Sequence, residues 1–269
     1  MKISSQQVKE LRDRTGAGIL ACKKALQETE GEIEPAIDIL RAEGAAKAAK
    51  RESREAREGI IRLRIDDGGK RAALLELNCE TDFVARTEDF VRLAEELSDL
   101  LLERGEEALR ADEIQDRIAD LAGNIGEKIS LGRTVRWDKE GWIGGYLHHN
   151  GRAAALVELS ENLPEPAGEL AMQVVAANPP YLDEADVDGA EKERELEIFR
   201  QQVRDKPPAI QDKIIAGKWR KRLTELCLVD SPFLRDDKIS VARYLERQQS
   251  PSGKPVEIRG FVRLKLGES

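Results

Sequence analysis

The chain has 269 residues, 36% of them charged and only 4% aromatic, with a formal net charge of −8. That length supports two or three small cores rather than one large one, and the composition is helix-rich with much solvated surface. An acidic balance argues against nucleic acid as the main partner, because duplex binding rests on Lys and Arg neutralising phosphates. The cysteines Cys22, Cys79 and Cys227 are scattered and odd in number. They imply no disulfide framework and no metal site, and they fit reduced thiols. The sequence shows no signal core, no Arg- and Ser-rich transit peptide and no apolar run near the ~20 residues of a membrane span. The expectation is a cytoplasmic protein, or a mature form.

Residues 1–44 read as three short helices. Ser4 with Gln7 three residues on is a capping box, and Ile3 can staple against Val8. Val8 and Leu11 mark the buried face, and the Thr-Gly-Ala-Gly of 15–18 breaks the helix. In the second helix Ile19, Cys22 and Leu26 point inward and Lys23 and Lys24 outward, until Gly31 stops it. Pro35 suits the first turn of a third helix, whose Ile33, Ala36, Ile37 and Leu40 share a stripe. Three helices of this size make a bundle of the ubiquitin-associated type, a docking module too small to house an enzyme site. Residues 45–58 carry Ala, Lys, Arg and Glu without an apolar stripe. They read as a solvated helix or linker, because Glu52, Glu55 and Glu58 interrupt the basic residues.

An internal repeat follows. Residues 59–77 and 141–159 align without a gap, sharing Gly59/Gly141, Ile61/Ile143, Gly69/Gly151, Ala72/Ala154, Ala73/Ala155, Leu74/Leu156, Glu76/Glu158 and Leu77/Leu159. Each copy reads as an alternating strand, a Gly-containing turn and a mostly apolar, well-covered strand. Each is followed by a helix, at 88–104 with Phe90, Val91, Ala94, Leu97 and Leu101 inward, and at 165–177 with Leu170, Val174 and Ala177 inward. Between them 112–126 repeats Ile114, Ile118, Leu121 and Ile125 on one helix face, and 129–137 returns as a strand. Asn178, Pro179 and Pro180 end the second helix. Residues 190–204 and 210–222, joined by Asp205-Lys206-Pro207-Pro208, form an αα-hairpin with narrow stripes (Leu196, Phe199 and Val203; Ile210 and Ile214). The stretch 223–235 rejoins the second copy, 240–248 is a short helix and 256–266 a closing strand. The fold class is α+β: a three-helix bundle, two repeated subdomains with small antiparallel sheets, and an inserted helical hairpin.

Motifs of covalent chemistry are scarce. Gly68-Gly69 lacks the Lys-Ser/Thr partner of a phosphate loop and sits in a hairpin turn. His148 and His149 adjoin each other at the second hairpin turn, and because neighbours on a strand face opposite ways they do not read as a catalytic pair. Cys79 with His148 could pair as nucleophile and base, but nothing in the sequence orients a third group. Residues 78–86, Asn-Cys-Glu-Thr-Asp-Phe-Val-Ala-Arg, form a turn between an apolar strand and an amphipathic helix. There Thr81 or Thr87 can cap the helix. Phe83 either fills a core gap or, beside the charged Asp82, faces outward. Neither a cofactor nor a metal is called for, and the chain reads as a binding protein.

Several stretches together resemble the translation elongation factor Ts family. Residues 8–26 are similar to its opening signature, 78–86 to its second signature around Thr-Asp-Phe-Val, and 122–129 and 212–238 also fit. The resemblance implies a guanine-nucleotide exchange factor for elongation factor Tu, without covalent chemistry. It implies an amino-terminal ubiquitin-associated-like domain with linker over 1–54 and a core N-subdomain over 55–140. The core C-subdomain then covers 141–182 and 224–269, with a helical-hairpin dimerisation domain between them over 183–223. By the same resemblance, Arg12, Ile19 and Leu20 dock on the partner's nucleotide-binding domain. Thr81, Asp82, Phe83 and Val84 act near its magnesium, and His148 touches a more distant domain. A homodimer through the hairpin is a further implication; direct nucleic-acid or membrane partners are not expected. Three features depart from the family pattern: Gln173 where His is common, Ile19-Leu20 for a frequent Met pair, and a chain that stops after the closing strand. The alternative reading is an adaptor that uses the amino-terminal bundle to bind ubiquitin-like proteins.

Overall fold

A computed structural model describes residues 3–250 and 252–268, without the side chains of 45–50. The chain divides into two compact units: Met1–Arg64, Ala73–Arg136 and Lys265–Ser269 form one, Ile65–Ala72 and Trp137–Leu264 the other. Among the described residues no helix is long and apolar enough to cross a membrane.

The first unit opens with α1 (Ser5–Thr15), α2 (Ile19–Glu28) and α3 (Ile33–Glu52). The Ser4 hydroxyl accepts from Gln7 N–H at 3.2 Å and Gln7 Oε1 accepts from Ser4 N–H at 3.1 Å, so the capping box forms as the spacing predicts. Leu11, Cys22, Ala25, Leu26, Ala36 and Ile37 make the shared core. Ile19 departs from the expected inward face and is 56% exposed. Helical period places it with Cys22 and Leu26, but it lies in the first turn of α2, and Ala17 of the preceding turn packs against the core instead. Helix α3 continues past the bundle to Glu52, and the solvated face expected at 45–50 falls outside the described side chains.

Strands β1 (Glu58–Ile65) and β2 (Arg71–Cys79) form the first hairpin; after α4 (Asp82–Ala85), α5 (Glu88–Arg104), α6 (Glu106–Leu109) and α7 (Asp112–Ile125), β3 (Ile129–Asp138) completes a sheet ordered β1-β2-β3. Helix α5 has the predicted bounds, and its Phe90, Leu93, Ala94, Leu97 and Leu101 pack with Leu75 and Leu77 of β2 and Ile114 and Ile118 of α7. The short α6 has no counterpart in the periodicity.

The second unit repeats the scheme. Strands β4 (Trp142–Leu147) and β5 (Ala153–Leu159) pair antiparallel, with Trp142 opposite Leu159, and α8 (Pro164–Ala177) covers them. After a 3₁₀ turn (Glu184–Asp186), α9 (Gly189–Gln202) and α10 (Pro208–Leu226) form the αα-hairpin. Then β6 (Pro232–Phe233), β7 (Asp236–Ser240), α11 (Val241–Glu246) and β8 (Ile258–Lys265) close the unit, giving sheet order β4-β5-β8 and a small β6-β7 ladder. Ala177, expected inward, is exposed at the last turn of α8, where Asn178 takes the left-handed conformation (φ 48°) that ends the helix. Trp219, Leu223 and Leu226 of α10 bury with Val187 and Cys227, and Leu196 and Phe199 of α9 pack against them.

The duplication read from the sequence extends to atomic detail. Both turns close with the same pair of backbone bonds, Asp66 N–H to Arg71 O and Gly69 N–H to Asp66 O in one, His148 N–H to Ala153 O and Gly151 N–H to His148 O in the other. Gly69 (φ 61°) and Gly151 (φ 68°) supply the left-handed residue that each turn requires. Glu76 and Glu158 are each 5% exposed and each meets a cation from the third strand, Arg133 of β3 at 2.7 Å and Arg259 of β8 at 3.8 Å. Buried carboxylates persist only where such partners hold them.

Candidate functional site

The turn that follows β2 is built to stand still while one side chain stands out. Thr81 takes an extended conformation and its hydroxyl accepts from Val84 N–H at 3.4 Å, capping α4. Thr87 precedes α5 without a side-chain cap; its hydroxyl donates back to Val84 O at 2.9 Å. Val84 and Ala85 point inward, 7% and 5% exposed, into the core beneath α5. Phe83, just before them, is 79% exposed. The core-filling reading of that ring therefore fails. Val84 and Ala85 occupy the inward side of this single helical turn, and a ring one residue earlier is directed to solvent. Asp82 carries only a surface ion pair, Oδ2 to Arg86 Nη2 at 2.6 Å, of the exposed kind that contributes little.

Beneath the turn lies a clasp. Glu127 accepts the Thr81 hydroxyl at Oε1 (2.7 Å) and the Thr81 N–H at Oε2 (3.0 Å). One residue along each segment the roles reverse: Glu80 Oε1 accepts Lys128 N–H at 2.6 Å and the Arg54 guanidinium at 3.0 Å. The segment after α7 is a junction. Arg54 also reaches Gly126 O at 3.5 Å, Lys128 Nζ donates to Glu52 O at 2.6 Å, and a methyl built on Gly16 would meet Asn124 Oδ1 at 3.5 Å. The turn before Ile19 and Leu20 thus adjoins the helix whose end grips Thr81. Leu20 is 83% exposed and Arg12 is exposed too. Sequence reasoning missed Glu127, Glu80 and Arg54. The only signal was that 122–129 fitted the same family as 78–86.

The Lys128 N–H bond, with Arg54 adding its charge, holds the Glu80 carboxyl below its ordinary value of 4.5. A depressed carboxylate stabilises the fold above that value and loses its contribution as pH falls through the lower, folded-state pKa. The melting temperature of Glu80→Gln should therefore lie below that of the wild type at neutral pH and converge with it in acid below pH 4.5. A gap that persists undiminished at pH 3 would contradict the assignment.

Cys79 is fully buried and donates Sγ–H to Thr81 O at 3.1 Å. Burial, with the nearby Glu127 charge, pushes its thiol up to about 12, the reverse of an activated nucleophile. His148 lies in the turn after β4, where the repeat places it. Its ring and that of His149 are 4.3 Å apart between centroids, contrary to the expectation that they diverge, and Nδ1 lies 3.2 Å from the Tyr146 hydroxyl. Gln173, 2% exposed, is committed inside its own unit. Its amide donates to Ser231 Oγ at 3.2 Å and Pro232 O at 2.9 Å and accepts Leu234 N–H at 2.6 Å.

Apolar side chains held outward on pinned backbone are the chemistry of macromolecular docking rather than of a reaction centre. The sequence profile described as elongation factor TS matches residues 80–268. The chain is 41% identical to an elongation factor Ts of Prosthecochloris aestuarii, over 99% of each chain. It is 40% identical to one of Clostridium perfringens, over 99% of this chain and 93% of the other. With one of Nitratidesulfovibrio vulgaris the identity is 41%, over 100% of this chain and 97% of the other. The chain belongs to the elongation factor Ts family.

Proposed function

We propose that this chain is the guanine-nucleotide exchange factor for elongation factor Tu and acts in the cytoplasm without covalent chemistry. The observation that carries the reading is the outward Phe83, 79% exposed on a turn whose neighbours are buried or clasped. Arg12, Ile19 and Leu20 dock on the partner's nucleotide-binding domain. Phe83 then wedges between helices beside the magnesium site while Asp82 helps hold the displaced arrangement, Thr81 and Val84 anchor the turn that carries both, and His148 touches a more distant domain. Magnesium loses its coordination and the β-phosphate its counter-charge.

The energetics are those of linkage: a factor that favours the nucleotide-free partner weakens GDP by the same ratio. Burying one phenyl ring supplies about 1.5–3 kcal/mol towards that shift. The Asp82–Arg86 pair that docking must open is exposed, so its loss costs at most about 1 kcal/mol. The test is release of a fluorescent GDP from purified elongation factor Tu, chased with unlabelled nucleotide. Substoichiometric chain should accelerate release with multiple turnovers. Binding without acceleration would leave only a holding role.

A further inference from the structure

We propose that Glu127 is a positioning residue for exchange: by gripping both donors of Thr81 it fixes the direction in which α4 presents Phe83. The inference rests on the exchange reading and adds to it a residue that acts through the turn.

A threonine hydroxyl has one proton and can rotate it. Here the proton goes to Glu127 Oε1 at 2.7 Å, which leaves an oxygen lone pair for Val84 N–H, the capping bond of α4. The second carboxylate oxygen takes the Thr81 N–H at 3.0 Å. Both are bonds to an ionised acceptor, roughly twice as strong as neutral ones. Because Glu80 holds Lys128 N–H in the opposite sense, neither segment can slide by a residue without breaking both grips. Cys79 Sγ–H on Thr81 O and the buried Val84 fix the turn from below. Only Asp82 and Phe83 are left facing outward. Such a turn meets its partner already ordered, so docking does not have to freeze it. A turn released from Glu127 occupies the competent orientation only part of the time, and its apparent affinity falls by that fraction.

This predicts a specific kinetic pattern. In GDP release titrated with full-length chain, Glu127→Ala should raise the half-saturating concentration about three- to tenfold while the maximal rate is kept. Glu127→Gln, which keeps one carbonyl acceptor for Thr81, should fall between Ala and wild type. In a Phe83→Ala background the Glu127→Ala change should have no further effect, because there is no ring left to position. A purely structural role would lower the melting temperature or the folded fraction and would raise the half-saturating concentration equally in both backgrounds; that result overturns the inference, as does an unchanged titration. Should Glu127→Ala fail to fold, Thr81→Val breaks the same hydroxyl grip from the other side and must show the same raised half-saturation and the same dependence on Phe83. Absence of acceleration by the wild-type chain defeats the exchange reading itself. Acceleration equal in wild type and Glu127→Ala defeats only the role of Glu127.

Discussion

Replacing Phe83 with alanine is expected to leave the melting temperature of the protein unchanged and to reduce its stimulation of GDP release ten- to a hundredfold. The two halves of that expectation come from one number, the 79% exposure of the ring. A core phenylalanine truncated to alanine costs about 3–5 kcal/mol, whereas a surface change away from special features stays within about 0.5 kcal/mol. The Phe83 ring therefore contributes little to folding. Its expected contribution to the displaced partner state, about 1.5–3 kcal/mol, becomes the loss of rate at about 1.4 kcal/mol per factor of ten. Thermal denaturation and the release assay, run on the same preparation, check both halves. A stable variant with full activity would remove Phe83 from the mechanism, and a large fall in melting temperature would return it to the core.

The opposite profile is expected at Gly144 in β4. A β-carbon built there would lie 2.3 Å from Ala167 Cβ and 2.4 Å from Ala167 C of α8, and the second of these is backbone that cannot swing aside. Helix and sheet approach this closely because a glycine faces an alanine, so Gly144→Ala must push α8 off β4. The expected loss is about 3 kcal/mol, or roughly 6–12 °C in melting temperature. One residue beyond Ala167, a β-carbon on Gly168 meets nothing within 4 Å. Gly168→Ala should instead stabilise α8 by up to about 1 kcal/mol, since alanine is the better helix former. Denaturation of the pair checks the account: equal effects at the two glycines would contradict the close approach.

What the sequence revealed and what it withheld divide along the range of the interaction. The Ser4–Gln7 box, the bounds of α5 and the glycine turns at Gly69 and Gly151 rest on neighbours within a few residues, and each is where its pattern places it. The repeat was legible because two copies carry the same glycines and the same buried glutamate. Ile19 was misread because helical period gives a face but not the point along the helix where the bundle ends. The β6 strand, Pro232–Phe233, is two residues long and has no period to detect. His148 and His149 fall in the hairpin turn where the repeat places them, but strand alternation does not apply there, since β4 already ends at Leu147, and their rings come together. For the candidate site, the outward Phe83 could be argued from its charged neighbour. The Glu127–Thr81 clasp could not, because its partners lie far apart in the chain and Glu127 is one acid among 52. Gln173 stood out only as a departure from a family pattern; its place as the pin of the 231–234 segment comes from packing alone.

The most direct measurement of the central claim is the affinity of this chain for elongation factor Tu in two states, nucleotide-free and GDP-bound, by calorimetry. Linkage predicts tighter binding to the nucleotide-free form, by the same factor by which the chain weakens GDP. Equal affinities for the two forms would contradict the account, since a ligand without preference shifts no equilibrium.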